Sequence, residues 1–552
     1  MYLISFARRS AHPRQGRAER SCFLPSSRAM PSQHATITTP IYYVNDRPHI
    51  GHAYTTTLCD VWARTMRLRG LSVFFLTGTD EHGVKVEKSA AGRGITPRAL
   101  ADENAAEFKR VMSLFGLSND DFIRTTEPRH ERQVQALVKQ LHDGGSVYLG
   151  TFEGWYDEGQ EEYYTETKAK ELNYQSPVTG RPLVRATEQN YYFRLSAFQE
   201  RLQKHFADHP HFVQPSARQN EVLGRLREGL QDVPITRTNF TWGIPFPGDP
   251  QHVIYVWIDA LFNYITALGI GEPNSETARE RACHWPADFH VIGKEILWFH
   301  AVIWPALLMA LELQLPKRIH AHSFWIADGQ KMSKSLGNFI DLPSIEGYFA
   351  HYGLDAWRWY MATQGPLTTT DADFSAKHFH ETYTNDLVNT VGNCASRVGA
   401  MIGKYFSGML PEDSEHGGPW PDRCANAVHQ WCNHMDAFEL AAAARCGIDL
   451  LRQIDGMINE TEPFKLAKDP ANLPRLASIL NQCAQTVRIA GVLLEPFMPS
   501  KMTALADAFG GETCRHAPWD ARSKYGHLQP GCAVAKLALF PRVELIEKSS
   551  TR

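Results

Sequence analysis

The sequence predicts an α/β domain built on a parallel sheet, split by an insertion of different composition and followed by an all-α helical bundle. Three observations predict it: a strand, helix, strand pattern opens the chain after residue 34, the stretch 148–245 turns rich in Glu, Tyr, Thr and Gly, and 378–510 has helical spacing almost throughout. At 552 residues the chain is several times a typical domain, so more than one folding unit is expected. Hydrophobic residues at 43% and charged residues at 21% match soluble globular proteins and exclude wholesale disorder.

Residues 1–33 stand apart from the fold. Within 1–29, six arginines and five serines face one acid, Glu19, which fits either a mitochondrial transit peptide or a start codon assigned upstream of Met30. The first half of the α/β domain is expected over 34–147. Ile37–Val44 reads as a strand, Asn45-Asp46-Arg47-Pro48 as a turn, and the next segment as a helix with Leu58, Val61, Trp62 and Met66 on one face. Gly70 ends that helix, and Leu71–Leu76 is an apolar run of strand length. Together they form a βαβ unit. Helices follow between Thr96 and Gly144, then the insertion at 148–245.

The second half of the α/β domain is expected over 246–377, with Val253–Trp257 and Phe289–Ile292 as strands. The apolar run Ile296–Leu311 contains His300 and Pro305 and is shorter than the ~20 residues that span a bilayer. It reads as a buried helix, and no membrane association is expected. The bundle occupies 378–510, interrupted at Gly408–Pro421, and 511–552 forms a tail in which Leu537–Val543 returns to the body of the protein.

With 57 Lys+Arg against 60 Asp+Glu the net charge is -3, so a polyanionic partner must be met by local patches. The ten cysteines are scattered, with no CxxC pair and no tight Cys/His cluster along the sequence. This pattern points to reduced thiols in an intracellular compartment and to no protein-bound metal.

Two constellations carry chemistry. His49-Ile50-Gly51-His52 stands where a strand hands over to a helix, whose free N–H groups and positive dipole end suit a phosphate. Gly51 lets a flat ligand approach the backbone, and the imidazoles share the first-turn face. Taken alone, the tetrapeptide fits two ordinary loop histidines equally well. Lys331-Met332-Ser333-Lys334-Ser335 lies between Gly329 and Gly337 and places two ammonium groups three residues apart. Such a loop can close on a triphosphate and carry charge to a departing pyrophosphate, with Met332 pinning it by apolar contact; alone, it fits a solvated basic turn.

Both constellations, in this order and context, resemble the signature motifs of class I aminoacyl-tRNA synthetases. Five further stretches narrow the resemblance to the methionyl-tRNA synthetase family: Thr39-Pro40-Ile41-Tyr42-Tyr43-Val44-Asn45, Thr77-Gly78-Thr79-Asp80-Glu81-His82-Gly83, Trp242-Gly243-Ile244-Pro245, Tyr255-Val256-Trp257-Ile258-Asp259-Ala260 and Ile292-Gly293-Lys294-Glu295-Ile296. The resemblance implies a Rossmann-like catalytic domain (34–147 and 246–377, the second half with the lysine loop), a connective-peptide insertion (148–245) and an anticodon-binding helical domain (378–510). It also implies the reaction: ATP, with Mg2+, activates L-methionine to methionyl-adenylate, and the methionyl group passes to tRNA(Met).

The resemblance assigns His49, His52, Lys331 and Lys334 to catalysis, and Gly51, Gly293, Met332, Ser333 and Ser335 with them to ATP binding. It assigns Ile41, Tyr43, Trp257, Tyr264, Ile296 and His300 to methionine, with Asp80 holding the α-amino group. An uncharged thioether needs a largely apolar, aromatic pocket, and a carboxylate just past a strand's C-terminal edge stands where open α/β sheets bind ligands. Loss of one methyl changes binding by only ~1–3 kcal/mol, so homocysteine is expected to enter.

Asn393, Arg397 and Phe464 match the family's anticodon-reading positions. Phe464 stands where the family has a stacking Trp, so the π-face there is smaller. The family often carries a zinc knuckle in the insertion, but Gly154–Tyr164 has no cysteine, so a zinc-free insertion is expected and no zinc elsewhere.

Other class I synthetases fit less well. The leucine, isoleucine and valine enzymes need a large editing insertion, and the cysteine enzyme uses a pocket zinc. A non-catalytic RNA-binding relative would be free to lose the motif residues, all of which are present. A small nucleotidyltransferase would lack the helical domain and the lysine loop. The expectation is a monomer in the cytoplasm, or in the mitochondrial matrix if 1–29 is a transit peptide.

Overall fold

His34–Thr38 (β1) runs into Pro40, whose ring removes a backbone donor and breaks the strand that the sequence reading extended from Ile37 to Val44. The chain resumes as the short strand Tyr42–Tyr43 (β2). After His49 comes the helix Ile50–Leu68 (α1), with Leu58, Val61, Trp62 and Met66 buried along it, and Gly70 leaves the helix end at a φ of 86°. Ser72–Asp80 (β3) is longer than the expected Leu71–Leu76, because Thr77 and Thr79 continue the buried run. Asp121–Arg124 (β4) pairs with it. An added Cβ at Gly78 would lie 2.0 Å from the Ile123 carbonyl oxygen, so β4 approaches β3 only because that side chain is missing.

The computed structural model describes residues 33–44, 48–157, 162–164, 166–327, 329–332 and 338–546. Pro128–Asp143 (α2) leads into Val147–Asp157 (β5), which pairs antiparallel along its length with Val184–Phe193 (β6). This sheet accounts for the altered composition of the insertion. Val213–Gln214 (β7), within the same 148–245 stretch, joins the main sheet instead.

The expected strand Val253–Trp257 stops at Ile254, and Val256–Thr266 (α3) is a helix that carries Trp257 in its first turn. Phe289–Gly293 (β8) and Ile319–His322 (β9) complete the main sheet. Among the described residues that sheet has seven strands, all paired in parallel, with β1 between β3 and β8. Alternate residues divide its faces: Ile37, Phe75 and Val291 join one core, Phe74, Leu76 and Ile292 another.

The expected single buried helix Ile296–Leu311 is a composite. Lys294–Ile296 is a 3-10 turn, Phe299–Ile303 is π-helical, and Trp304–Ala310 is α-helical from just before Pro305. Beyond Leu354–Gln364 (α4) lies the helical region, including Asn393–Phe406 (α5), Leu440–Thr461 (α6) and Leu473–Leu494 (α7).

α7 is buried on nearly every side, and the helical region shares one continuous core with α1 and a face of the sheet. The Trp62 indole donates to the Met435 carbonyl across that junction at 3.2 Å. The tail then returns: Tyr383 donates to the Pro541 carbonyl and His351 to that of Glu544, with Leu539 and Phe540 buried. Among the described residues, no helix is long and apolar enough to cross a membrane.

Candidate active site

Because β3 lies on one side of β1 and β8 on the other, the chain leaves β1 in opposite directions and opens a crevice at the strands' C-terminal ends. A cleft of about 440 Å3 sits there. Ile41 follows β1, Asp80 ends β3, Gly293 ends β8, and the N-terminus of α1 supplies His49, Gly51 and His52; all of them line it.

The α1 terminus is closed by its own imidazoles. His49 Nδ1 accepts from the Gly51 N–H at 3.1 Å, and His52 Nδ1 accepts from the His49 N–H at 3.2 Å. This reciprocal cap satisfies donors that the sequence reading left open for a phosphate. It also fixes the tautomers: with both Nδ1 atoms accepting, a neutral ring carries its proton on Nε2. His52 is neutral, since burial and then the neighbouring His49 hold its pKa well below the ordinary value. The two rings lie 3.9 Å apart at the mouth of the helix terminus.

The chain just after the second basic element reaches the same helix terminus. Gln330–Lys331 pairs antiparallel with Trp325–Ala327, and Met332 is half-buried against the core around α1. On the far side of the loop, Asp341 bridges His49, the Ile50 N–H donates to the Ile340 carbonyl at 3.4 Å, and Phe339 meets the His49 ring edge-on at 5.3 Å. Ser333, Lys334 and Ser335 lie outside the described residues, as does the Lys331 side chain.

The rest of the cleft is aromatic and apolar. Tyr43, Trp257, Tyr264, Ile296 and His300 line it together with Ile41 and Asp80. His300 Nδ1 donates to the Ile296 carbonyl at 3.0 Å, leaving Nε2 to accept from the Tyr264 hydroxyl at 2.8 Å. Burial lowers the His300 pKa to about 4 and pushes the Tyr264 phenol up, so neither ring is charged at neutral pH. Trp257 stacks on Phe299 with centroids 4.1 Å apart. The π-helical turn thus presents two consecutive side chains, Phe299 and His300, to this wall.

The segment after Asp80 is fixed by buried ion pairs and hydrogen bonds. Glu81 is fully buried and takes Arg124 at 2.7 Å. His82 donates to Asp259, which also takes His130 at 2.7 Å. Burial pushes the Asp259 carboxyl up, but His82 and His130 together bring it below the usual range. Gly83, at a φ of 101°, could not carry a side chain, because a Cβ would lie 2.7 Å from the Tyr43 hydroxyl that donates to the His82 carbonyl.

Sequence reasoning missed Lys85, Glu295, His322 and Phe324, which also line the cleft. Glu295 lies inside a stretch singled out above, and its carboxylate folds back over Gly293, where a Cβ would meet it at 2.3 Å. His322 and Phe324 sit at the end of β9 outside any motif, and only the sheet order could have found them. The Thr55 hydroxyl donates to His322 Nε2 at 2.7 Å, and burial lowers the His322 pKa to about 4.

The expected anticodon residues lie in the helical region, apart from the cleft. Asn393 is exposed at the start of α5. Arg397 reaches α6, pairing with Asp455 at 2.9 Å and Asn459 at 3.3 Å. Phe464, just past the end of α6, is 51% exposed, an unusual position for a phenylalanine without a partner to cover it.

The family model for tRNA synthetases class I (M) matches residues 35–177 and 168–399. The methionine–tRNA ligase of Streptomyces coelicolor is 43% identical over 526 residues, covering 92% of this chain and 96% of that protein. That of Bacillus subtilis is 38% identical over 535 residues, covering 94% and 80%. A structure of Mycobacterium tuberculosis methionyl-tRNA synthetase in complex with methionyl-adenylate superposes with a TM-score of 0.85 at 35% identity, covering 92% of this chain and 100% of that one.

Proposed function

The chain belongs to the class I (M) tRNA synthetases, and from that premise we propose that it works as a methionine–tRNA ligase, using ATP to join L-methionine to tRNA(Met). The observation that carries the reading is the cleft: capping imidazoles, a carboxylate and an uncharged aromatic wall face one space of about 440 Å3, within the ~300–1,000 Å3 of small-ligand sites.

In the first step a methionine carboxylate oxygen bonds to the α-phosphorus of MgATP while the bond to the bridging oxygen breaks and pyrophosphate leaves. Such a displacement needs positioning and charge stabilisation more than covalent help. His49 and His52, at the terminus of α1, contact the phosphates and adenosine. Lys331 and Lys334, in a loop with Met332, Ser333 and Ser335, offset the charge on the pyrophosphate. Gly51 and Gly293 let the nucleotide approach the backbone.

Asp80 takes the α-ammonium of methionine, and Ile41, Tyr43, Trp257, Tyr264, Ile296 and His300 surround the thioether. In the second step a ribose hydroxyl at the 3′ end of tRNA attacks the methionyl carbonyl and AMP departs. Asn393, Arg397 and Phe464 read the unpaired anticodon by hydrogen bonding and stacking. Mg2+ arrives with ATP, the insertion at 148–245 holds no zinc, and the enzyme is a monomer. We assign it to the cytoplasm, where the free thiols of its described cysteines persist.

Amino-acid-dependent ATP–pyrophosphate exchange across the twenty amino acids tests the activity. Methionine should give the one strong signal, and a different amino acid, or none, would overturn the reading. The anticodon assignment has its own test, in which Asn393→Ala spares exchange and weakens tRNA charging; equal loss in both assays would remove Asn393 from that role.

A further inference from the structure

At the opposite, N-terminal edge of the main sheet, His34, Cys283 and His284 come together although 249 positions separate His34 from Cys283. His34 opens β1, and the other two end the 3-10 turn Ala282–His284. β1 holds that turn in place: Thr36 donates its hydroxyl to the His284 carbonyl at 2.7 Å and its N–H to Asp288 at 2.8 Å. The His34 and His284 rings meet edge to face at 5.0 Å, and Phe74 packs against His284 at 5.6 Å. One donor atom from each of the three residues lies within 4.8 Å of the others.

We propose that His34, Cys283 and His284 bind a divalent transition ion of the zinc type, with the fourth coordination position open to solvent. Two imidazoles and a thiolate are the donors such an ion prefers, and tetrahedral bonds of about 2.0–2.3 Å put ligand atoms roughly 3.3–3.8 Å apart. Closing from the 4.8 Å limit to such spacings needs shifts of about 1 Å, and Cys283, the exposed member, has room to move. The buried Nδ1 of His284 makes no hydrogen bond among the described residues, so the ring has a lone pair or a proton still to place. The Cys283 thiol now donates to the Glu280 carbonyl at 3.6 Å; on binding, the sulfur–metal bond forms and the thiol proton passes to solvent. The ion would pin the first residue of the central strand to the turn before β8, at the far end of the strands from the cleft. The proposal departs from the expectation of no protein-bound metal and concerns a part of the chain outside the insertion.

The test uses the full chain, stripped with a chelator and titrated with Co2+ alone. A single equivalent should give visible d–d absorption and a thiolate-to-cobalt charge-transfer band, and Zn2+ should displace both. Cys283→Ser, on an exposed side chain, should lose the charge-transfer band and retain methionine-dependent exchange. His284→Ala and His34→Ala should each weaken Co2+ binding about tenfold or more. Absence of the band in the parent chain, or its survival in Cys283→Ser, would overturn the proposal.

Discussion

Tyr264 and His300 form the most sharply defined polar pair in the cleft, because each atom's role is fixed by its neighbours. The Ile296 carbonyl takes the Nδ1 proton of His300, so Nε2 can only accept, and the Tyr264 hydroxyl fills it. Tyr264→Phe would leave that nitrogen buried and unsatisfied, at a cost of about 1–3 kcal/mol. Since both rings line the cleft, the variant should raise the methionine KM in pyrophosphate exchange by roughly 5- to 150-fold while the ATP KM stays near its parent value. An unchanged methionine KM would remove the pair from the pocket. At this scale the sequence was informative where chemistry repeats in short motifs: Ile41, Asp80, Trp257, Tyr264 and His300 all reach one cleft. His322 and Cys283 were not legible, because what matters in each is a neighbour hundreds of positions away, Thr55 for one and His34 for the other.

The elements were legible where a single periodicity governs them and illegible where it does not. α1 follows its apolar spacing, whereas Val253–Trp257 is apolar on every side, and such a run fits a buried strand or a buried helix equally. The π-helical turn left no pattern at all. α1 is also the element on which the site depends most, since its first turn carries His49, Gly51 and His52. Its middle is anchored by Asp60, whose oxygens accept from Arg64 and Arg358 at 2.6 Å and from the Ser118 N–H at 2.7 Å. Arg358, on α4, donates further to the Pro496 and Phe497 carbonyls of the helical region. Burial raises the Asp60 carboxyl, but Arg358 and Arg64 outweigh it and hold the group ionised. Asp60→Asn keeps the shape and strands the buried guanidinium, which costs about 3–5 kcal/mol. Thermal unfolding should therefore begin several degrees lower, and an unchanged melting temperature would show that this ion pair does not hold α1 to α4.

Across the whole molecule, the order of strands in the sheet is what turns scattered motifs into one site, and it is also what the sequence conceals: nothing local says that β1 lies between β3 and β8. That order brings an unusual set of histidines into the interior. His300, His320 and His322 are buried, with pKa values lowered to about 4 by burial, and burial holds His52 and His290 well below the ordinary value too. In the unfolded chain each titrates near ~6.5. Between about 4 and 6.5 the unfolded state therefore binds protons that the folded state refuses, so stability is fully present above ~6.5 and falls as the pH drops toward 4. Each such histidine adds a slope of about 1.4 kcal/mol per pH unit where its unfolded form is protonated. The urea midpoint should be flat above pH ~7 and fall steeply from ~6.5 to ~5, a range in which most carboxylates stay ionised in both states. His320 lies outside the cleft and uses Nε2 to donate to the Leu367 carbonyl, a bond a glutamine amide can reproduce. His320→Gln should accordingly flatten the descent by about one proton's worth. A midpoint that does not move between pH ~7 and ~5.5 would mean that these imidazoles are not held neutral by the fold.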